Sequence, residues 1–141
     1  MQKLIINTDG GSRNNPGKAA AAFIVSDEKG KVLFSDGKYL GIATNNEAEY
    51  IAVRLALEWV LENLKEDLPL KVDLKADSQL IVQQLSGNFK VKNNKLKFLF
   101  EVIKNFEEKV GEINYQYVPR SENWKADALV NQILDKNPTL Y

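Results

Sequence analysis

Residues 44–64 constrain the fold more than any other stretch. Thr44-Asn45-Asn46-Glu47 has the spacing of a capping box, in which a hydroxyl and a carboxylate three residues apart satisfy each other's free backbone N–H groups. Behind it, Ala48, Ala52, Leu55 and Trp59 line one face of a helix, and Val53, Leu57, Val60 and Leu64 line another. One apolar stripe suits a helix lying on a surface. Two stripes need cover on more than one side, so this helix belongs inside a layered molecule.

The flanking segments supply the layers. Residues 3–8 form a short apolar run that ends in the turn-like Asp9-Gly10-Gly11. Residues 19–26 and 31–40 read as two further strands joined through Asp27-Glu28-Lys29-Gly30, which makes an antiparallel meander. After the long helix and Pro69, residues 72–76 alternate with charge as a strand, and Asp77-Ser78 caps a short helix that Gly87 ends. Residues 96–110 are amphipathic, 112–118 are a last strand, and 122–134 a last helix. The order β-β-β-α-β-α-α-β-α predicts an α/β fold, a mixed five-stranded sheet with helices on both faces. The 141 residues suit one domain, residues 1–141, with residues 136–141 expected to fray.

The chain has no cysteine and no histidine. That excludes a thiol nucleophile, a zinc–thiolate site, an imidazole base and a serine–histidine dyad. An enzyme of this composition works with carboxylates, lysines, hydroxyls or oxygen-bound metals, and hard cations such as magnesium or manganese suit that set. No apolar run of 18 residues occurs, and the apolar start is too short for a signal peptide. The expectation is a soluble, cytoplasmic protein without a membrane partner. The 19 basic and 19 acidic residues cancel, but Asn88 to Phe100 holds no acid and carries Lys90, Lys92, Lys95 and Lys97. This local basic stretch beside Phe89 is a candidate edge for a phosphate backbone.

Four acids fall where a sheet of this order gathers ligands: Asp9 in or at the end of the first strand, Glu49 in the first turns of the long helix, Asp77 after the fourth strand, and Asp127 in the last helix. Taken singly, each has a plain structural reading, as a turn acid, a dipole-favourable first-turn acid, a helix cap and a solvated helix acid. Converging, they would repel one another strongly, and a pair of divalent cations would neutralise them. Two such cations about 4 Å apart can activate a water and stabilise the leaving oxygen of a phosphodiester.

Four stretches in order carry a family resemblance. Thr8-Asp9-Gly10-Gly11-Ser12-Arg13-Asn14-Asn15-Pro16-Gly17 resembles the first signature of type 1 ribonucleases H, and Thr44-Asn45-Asn46-Glu47-Ala48-Glu49-Tyr50 the second. Ala76-Asp77-Ser78-Gln79 resembles the third, and Val118-Pro119-Arg120-Ser121-Glu122-Asn123-Trp124-Lys125-Ala126-Asp127 the fourth. The resemblance implies an endoribonuclease that cuts the RNA strand of an RNA/DNA hybrid and leaves 5′-phosphate and 3′-hydroxyl ends. It implies two magnesium ions, replaceable by manganese, on Asp9, Glu49, Asp77 and Asp127. It assigns Asn15 and Asn45 to the minor groove of the hybrid, and Thr44 and Asn46 to a DNA-strand phosphate. Ser78 and Asn123, inside the third and fourth motifs, are grouped with these substrate contacts, as are Lys90, Lys92 and Lys95. Glu47 is assigned to capping. Many members carry a histidine on the loop before the last helix. Here Arg120 stands on that loop and is the expected catalytic replacement, able to stabilise phosphate charge but not to shuttle a proton. The long tryptophan-rich basic insertion of some members is lacking, so the chain resembles a compact subtype, expected to act as a monomer. The rivals are a non-catalytic hybrid-binding module and another nuclease of the same fold. Intact Asp9, Glu49, Asp77 and Asp127 speak against the first, and Asn45-Asn46 with Asn15-Pro16-Gly17 against the second.

Overall fold

The computed structural model describes residues 2–137. Five strands form one sheet in the order β3-β2-β1-β4-β5: β1 (Lys3–Arg13), β2 (Gly17–Asp27), β3 (Val32–Ala43), β4 (Leu70–Ala76) and β5 (Gly111–Tyr117). The pairs β1–β2 and β2–β3 are antiparallel, whereas β1–β4 and β4–β5 are parallel. The helices are α1 (Asn45–Asn63), α2 (Gln79–Leu85), α3 (Asn94–Val110) and α4 (Trp124–Lys136). Among the described residues no helix is long and apolar enough to cross a membrane.

Side-chain alternation along the strands splits the core into two faces. Phe23 and Val25 of β2, with Leu4 and Ile6 of β1, join Tyr50, Val53, Leu57 and Val60 of α1 in the main core. Ala20 and Ala22 point the other way and pack on Val130 and Leu134 of α4. The predicted double stripe of α1 has its explanation here, because the helix packs on β1 and β2 and is covered by α3. The alanines at 19, 20, 21 and 22 are all fully buried, so both helices can approach this part of the sheet closely. Gly10 shows how closely: a Cβ there would lie 2.2 Å from the carbonyl carbon of Ala48, so only glycine fits.

The element order matches the expectation, but several boundaries do not. The turn expected at Asp9-Gly10-Gly11 is strand, and β1 continues to Arg13 because Asp9, Gly10 and Gly11 pair with Ala22, Ala21 and Ala20. The last helix starts at Trp124 rather than Glu122, since residues Arg120–Glu122 form a separate 3₁₀ turn. Lys136 belongs to α4, and the Asn137 side-chain amide donates to the Ile133 carbonyl at 2.8 Å. Residues 138–141 lie outside the described residues.

Candidate active site

The parallel register brings the first two acids together. Thr8 of β1 pairs with Ala76 of β4, so Asp9 and Asp77 follow on neighbouring strands at the same end. Strands in a sheet run about 4.8 Å apart, which sets carboxylates side by side there. The first turn of α1 lies over Gly10, whose N–H donates to Glu49 Oε1 at 3.4 Å. One carboxylate oxygen each from Asp9, Glu49 and Asp77 lies within 4.8 Å of the others. Asp127, on α4, lines the same cleft, of about 420 Å³, but stands outside that close group and accepts from Asn131 Nδ2 at 3.5 Å. The structure therefore assembles three of the four predicted acids and sets the fourth on the wall beside them.

Asp9 and Glu49 are strongly destabilised as anions. Asp9 is 5% exposed, and burial first, then the charges of Asp77 and Asp127, push its pKa up to about 7. Glu49 is raised well above the ordinary range, by burial and then by Asp9 and Asp77. Glu49 Oε2 and Asp77 Oδ2 are buried without a hydrogen-bond partner. Arg120 reaches toward Asp77 Oδ2, but its Nε stays 3.9 Å away and its side chain is 78% exposed. Buried carboxylate oxygens without donors lose solvation and receive nothing in return. A set of hard oxygen donors in that state fits a divalent cation.

The remaining predicted residues divide into those near the cleft and those elsewhere. Thr44 caps α1 by accepting from the Glu47 N–H at 3.1 Å, and Glu47 Oε1 accepts from the Thr44 N–H at 3.2 Å, so Glu47 is engaged in the cap. Asn45 Oδ1 accepts from both the N–H (2.8 Å) and the hydroxyl (3.1 Å) of Ser12, while the Asn45 N–H donates to Asn15 Oδ1 at 3.0 Å. These bonds lock the Asn15 loop, β1 and the start of α1 into one rim. Asn46 and Ser78 line the cleft, and Ser78 also caps α2 through the Ile81 N–H. Asn123 is the correction. It is 1% exposed, its Nδ2 donates to the Thr8 carbonyl at 2.9 Å, and its Oδ1 accepts from Asn7 at 3.0 Å. Its amide is used up holding the start of α4 to the strand that carries Asp9, and it is not among the residues lining the cleft. Lys90, Lys92 and Lys95 are exposed and lie outside the cleft. Sequence reasoning passed over Ser12 and Asn131, both in the cleft wall. Ser12 stood inside the first motif, but its tie to Asn45 spans 33 residues and has no local signal.

Known proteins share this outline. The family described as "Reverse transcriptase-like" matches residues 7–133. The "Bifunctional protein Rv2228c" of Mycobacterium tuberculosis is 35% identical over 134 residues, which are 94% of this chain and 36% of that protein. Ribonuclease HI of Halobacterium salinarum is 35% identical over 90% of this chain and 62% of its own length. The chain thus spans about a third of the mycobacterial relative and under two thirds of the haloarchaeal one. Among solved structures, LC11-RNase H1 in complex with an RNA/DNA hybrid superposes with a TM-score of 0.92 at 40% identity, covering 95% of this chain and 98% of that one.

Proposed function

The chain belongs to the reverse-transcriptase-like family of ribonuclease H domains, and on that premise we propose that it is an endoribonuclease that hydrolyses the RNA strand of RNA/DNA hybrids. The observation that carries this reading is the group of Asp9, Glu49 and Asp77 lining a cleft, with two buried carboxylate oxygens lacking any donor.

Asp9, Glu49 and Asp77, with Asp127 from the wall, would hold two divalent cations of the magnesium type. Bound there, the cations supply an activated water and charge neutralisation at the leaving oxygen. The protein's own residues do the rest. The rim of Asn15, Asn45 and Ser12 is prebuilt, so a duplex meets polar groups that need not reorganise. Thr44 and Asn46 sit at the positive end of α1, where a phosphate is favoured. Arg120 reaches from an exposed turn toward Asp77 and can follow charge that develops on the scissile phosphate. The lysines of 90–95 grip the backbone away from the chemistry.

The test is a gel assay of an end-labelled RNA/DNA hybrid, with RNA, DNA and RNA/RNA duplexes as controls, each with magnesium and with excess chelator. Cleavage confined to the RNA strand of the hybrid, dependent on cation and leaving 5′-phosphates, is the expected result. Binding without cleavage in magnesium or manganese would make the chain a hybrid-binding module instead.

A further inference from the structure

The basic segment is tied to the interior by a buried glutamine. Gln84, in the last turn of α2, is 6% exposed, and both ends of its amide are engaged. Its Oε1 accepts from the Tyr50 hydroxyl at 2.6 Å, and its Nε2 donates to the Lys90 carbonyl at 3.3 Å. Tyr50 is fully buried and directly follows Glu49 on α1. Two hydrogen bonds therefore run from the helix that carries Glu49 to the backbone of a lysine in the basic loop. Among the described residues, the Gln84 bond is the only hydrogen bond to residues 90–92.

The same end of α2 is fixed from a second side. Lys104 Nζ of α3 donates to the Leu85 carbonyl at 2.5 Å and to Glu107 at 3.0 Å, and Glu107 in turn accepts from the Tyr115 hydroxyl of β5 at 2.7 Å. The other end of α2 begins just after Asp77. A seven-residue helix thus stands between a cluster acid and the lysine loop, with its far end held by α1, α3 and β5. An amide fits this post because it offers an acceptor and a donor at opposite corners, whereas an ionised glutamate or a methionine offers no N–H.

We propose that Gln84 is a positioning residue, which holds the loop bearing Lys90 and Lys92 at a fixed offset from the carboxylate cluster and so sets which phosphate of a bound duplex lies over the acids. The inference rests on the proposed function, since it takes a nucleic-acid backbone to run across both places. It adds to that reading a route by which a residue remote from the cleft governs where the strand is cut.

The experiment compares the parent with Gln84→Met, which fills the space without either polar end, and with the double variant Tyr50→Phe/Gln84→Met, which also removes the hydroxyl left unpaired. Amide hydrogen exchange on the protein alone comes first. Exchange in residues 86–93 should quicken about five- to tenfold in both variants, the worth of one net hydrogen bond, with peptides around Asp9 and Glu49 unchanged. Cleavage of an end-labelled hybrid comes second. KM should rise by a similar factor, single-turnover rate at saturation should stay within about twofold, and cuts should spread to neighbouring phosphates. The double variant should recover melting temperature, because no buried hydroxyl is orphaned, while its KM and cut pattern stay defective. Unchanged exchange in 86–93 overturns the proposal, as does a KM that returns to the parent value together with stability. If the parent cuts no hybrid, the proposed function falls on that result alone, and the exchange measurement still decides whether Gln84 anchors the loop. Should Gln84→Met fold poorly, the double variant carries the comparison.

Discussion

Asp9 on β1, Asp77 just past β4 and Glu49 on α1 stand on elements that share one core, while Lys90, Lys92 and Lys95 stand on an exposed stretch that meets that core through Val91 and the amide of Gln84. The acids are placed by sheet register and by a helix packed so closely that Gly10 has no room for a Cβ. The lysines are placed by a loop and the first turn of α3. The contrast fits the two proposed jobs. Metal-assisted chemistry tolerates errors of a few tenths of an ångström, and a rigid core can supply that. Gripping a phosphate backbone with long flexible cations tolerates much more, so weaker support suffices.

Substitutions at the two places should accordingly differ in kind. Glu49→Gln should lower hybrid cleavage by at least about 10³-fold, because metal-assisted stabilisation is worth several kcal/mol. It should not lower the melting temperature of the metal-free protein, since it removes a charge from a buried like-charged group. Glu47→Gln, two residues away, keeps a cap acceptor and should leave activity within about threefold. Steady-state cleavage with melting curves checks both, and equal losses would break the distinction between the site and its helix cap. Arg120→Ala should lower single-turnover rate by ~10²–10³ if its charge acts on the phosphoryl oxygens, with Arg120→Lys in between. Cation affinity, followed by calorimetry, should hold, and a parent-like rate would leave Arg120 a surface residue.

The binding edge should respond more gently. Replacing Lys90, Lys92 and Lys95 together with alanine should cut the slope of log affinity against log salt by about one for each phosphate that the edge no longer neutralises, with turnover at saturation little changed. A salt titration of hybrid binding decides it, and an unaltered slope would move the edge elsewhere. The smallest effect is on stability. Asp9 has its folded pKa raised from 3.8 to about 7, so protonation favours the folded chain. That contribution is fully present below 3.8 and disappears as pH rises through about 7. In excess chelator the parent should therefore lose melting temperature over this window relative to Asp9→Asn, by a few degrees. Added divalent cation should close the gap at the upper end, which differential scanning fluorimetry across pH would register.

Local features were the legible ones. The cap of α1 is written in four consecutive residues, and its double stripe in simple periodicity, so the helix starts where the sequence places it. The positions of three acids are local in the same way: Asp77 lies just past β4, and Glu49 and Asp127 lie in the opening turns of α1 and α4. The strand through Asp9 and Gly10 was not legible, because Asp-Gly-Gly has local turn chemistry and only pairing with the alanines of β2 overrides it. The burial of Asn123 escaped for the same reason: its partners, Asn7 and Thr8, are more than 100 residues away. A motif shows that a residue belongs to a site but not whether it faces the cleft or braces the wall.

The close approach of Gly10 to Ala48 has a further consequence, for folding. Asp9 and Glu49 flank it on either side, although 40 positions separate them in the chain. In an unfolded or half-collapsed chain they are far apart, and they become neighbours only when α1 seats on β1. A cation that needs both carboxylates has no weaker, partial version of its site to occupy beforehand. Seating of α1 then precedes uptake of such a cation, and metal arriving during refolding would act as a latch on the finished molecule rather than as a nucleus for it.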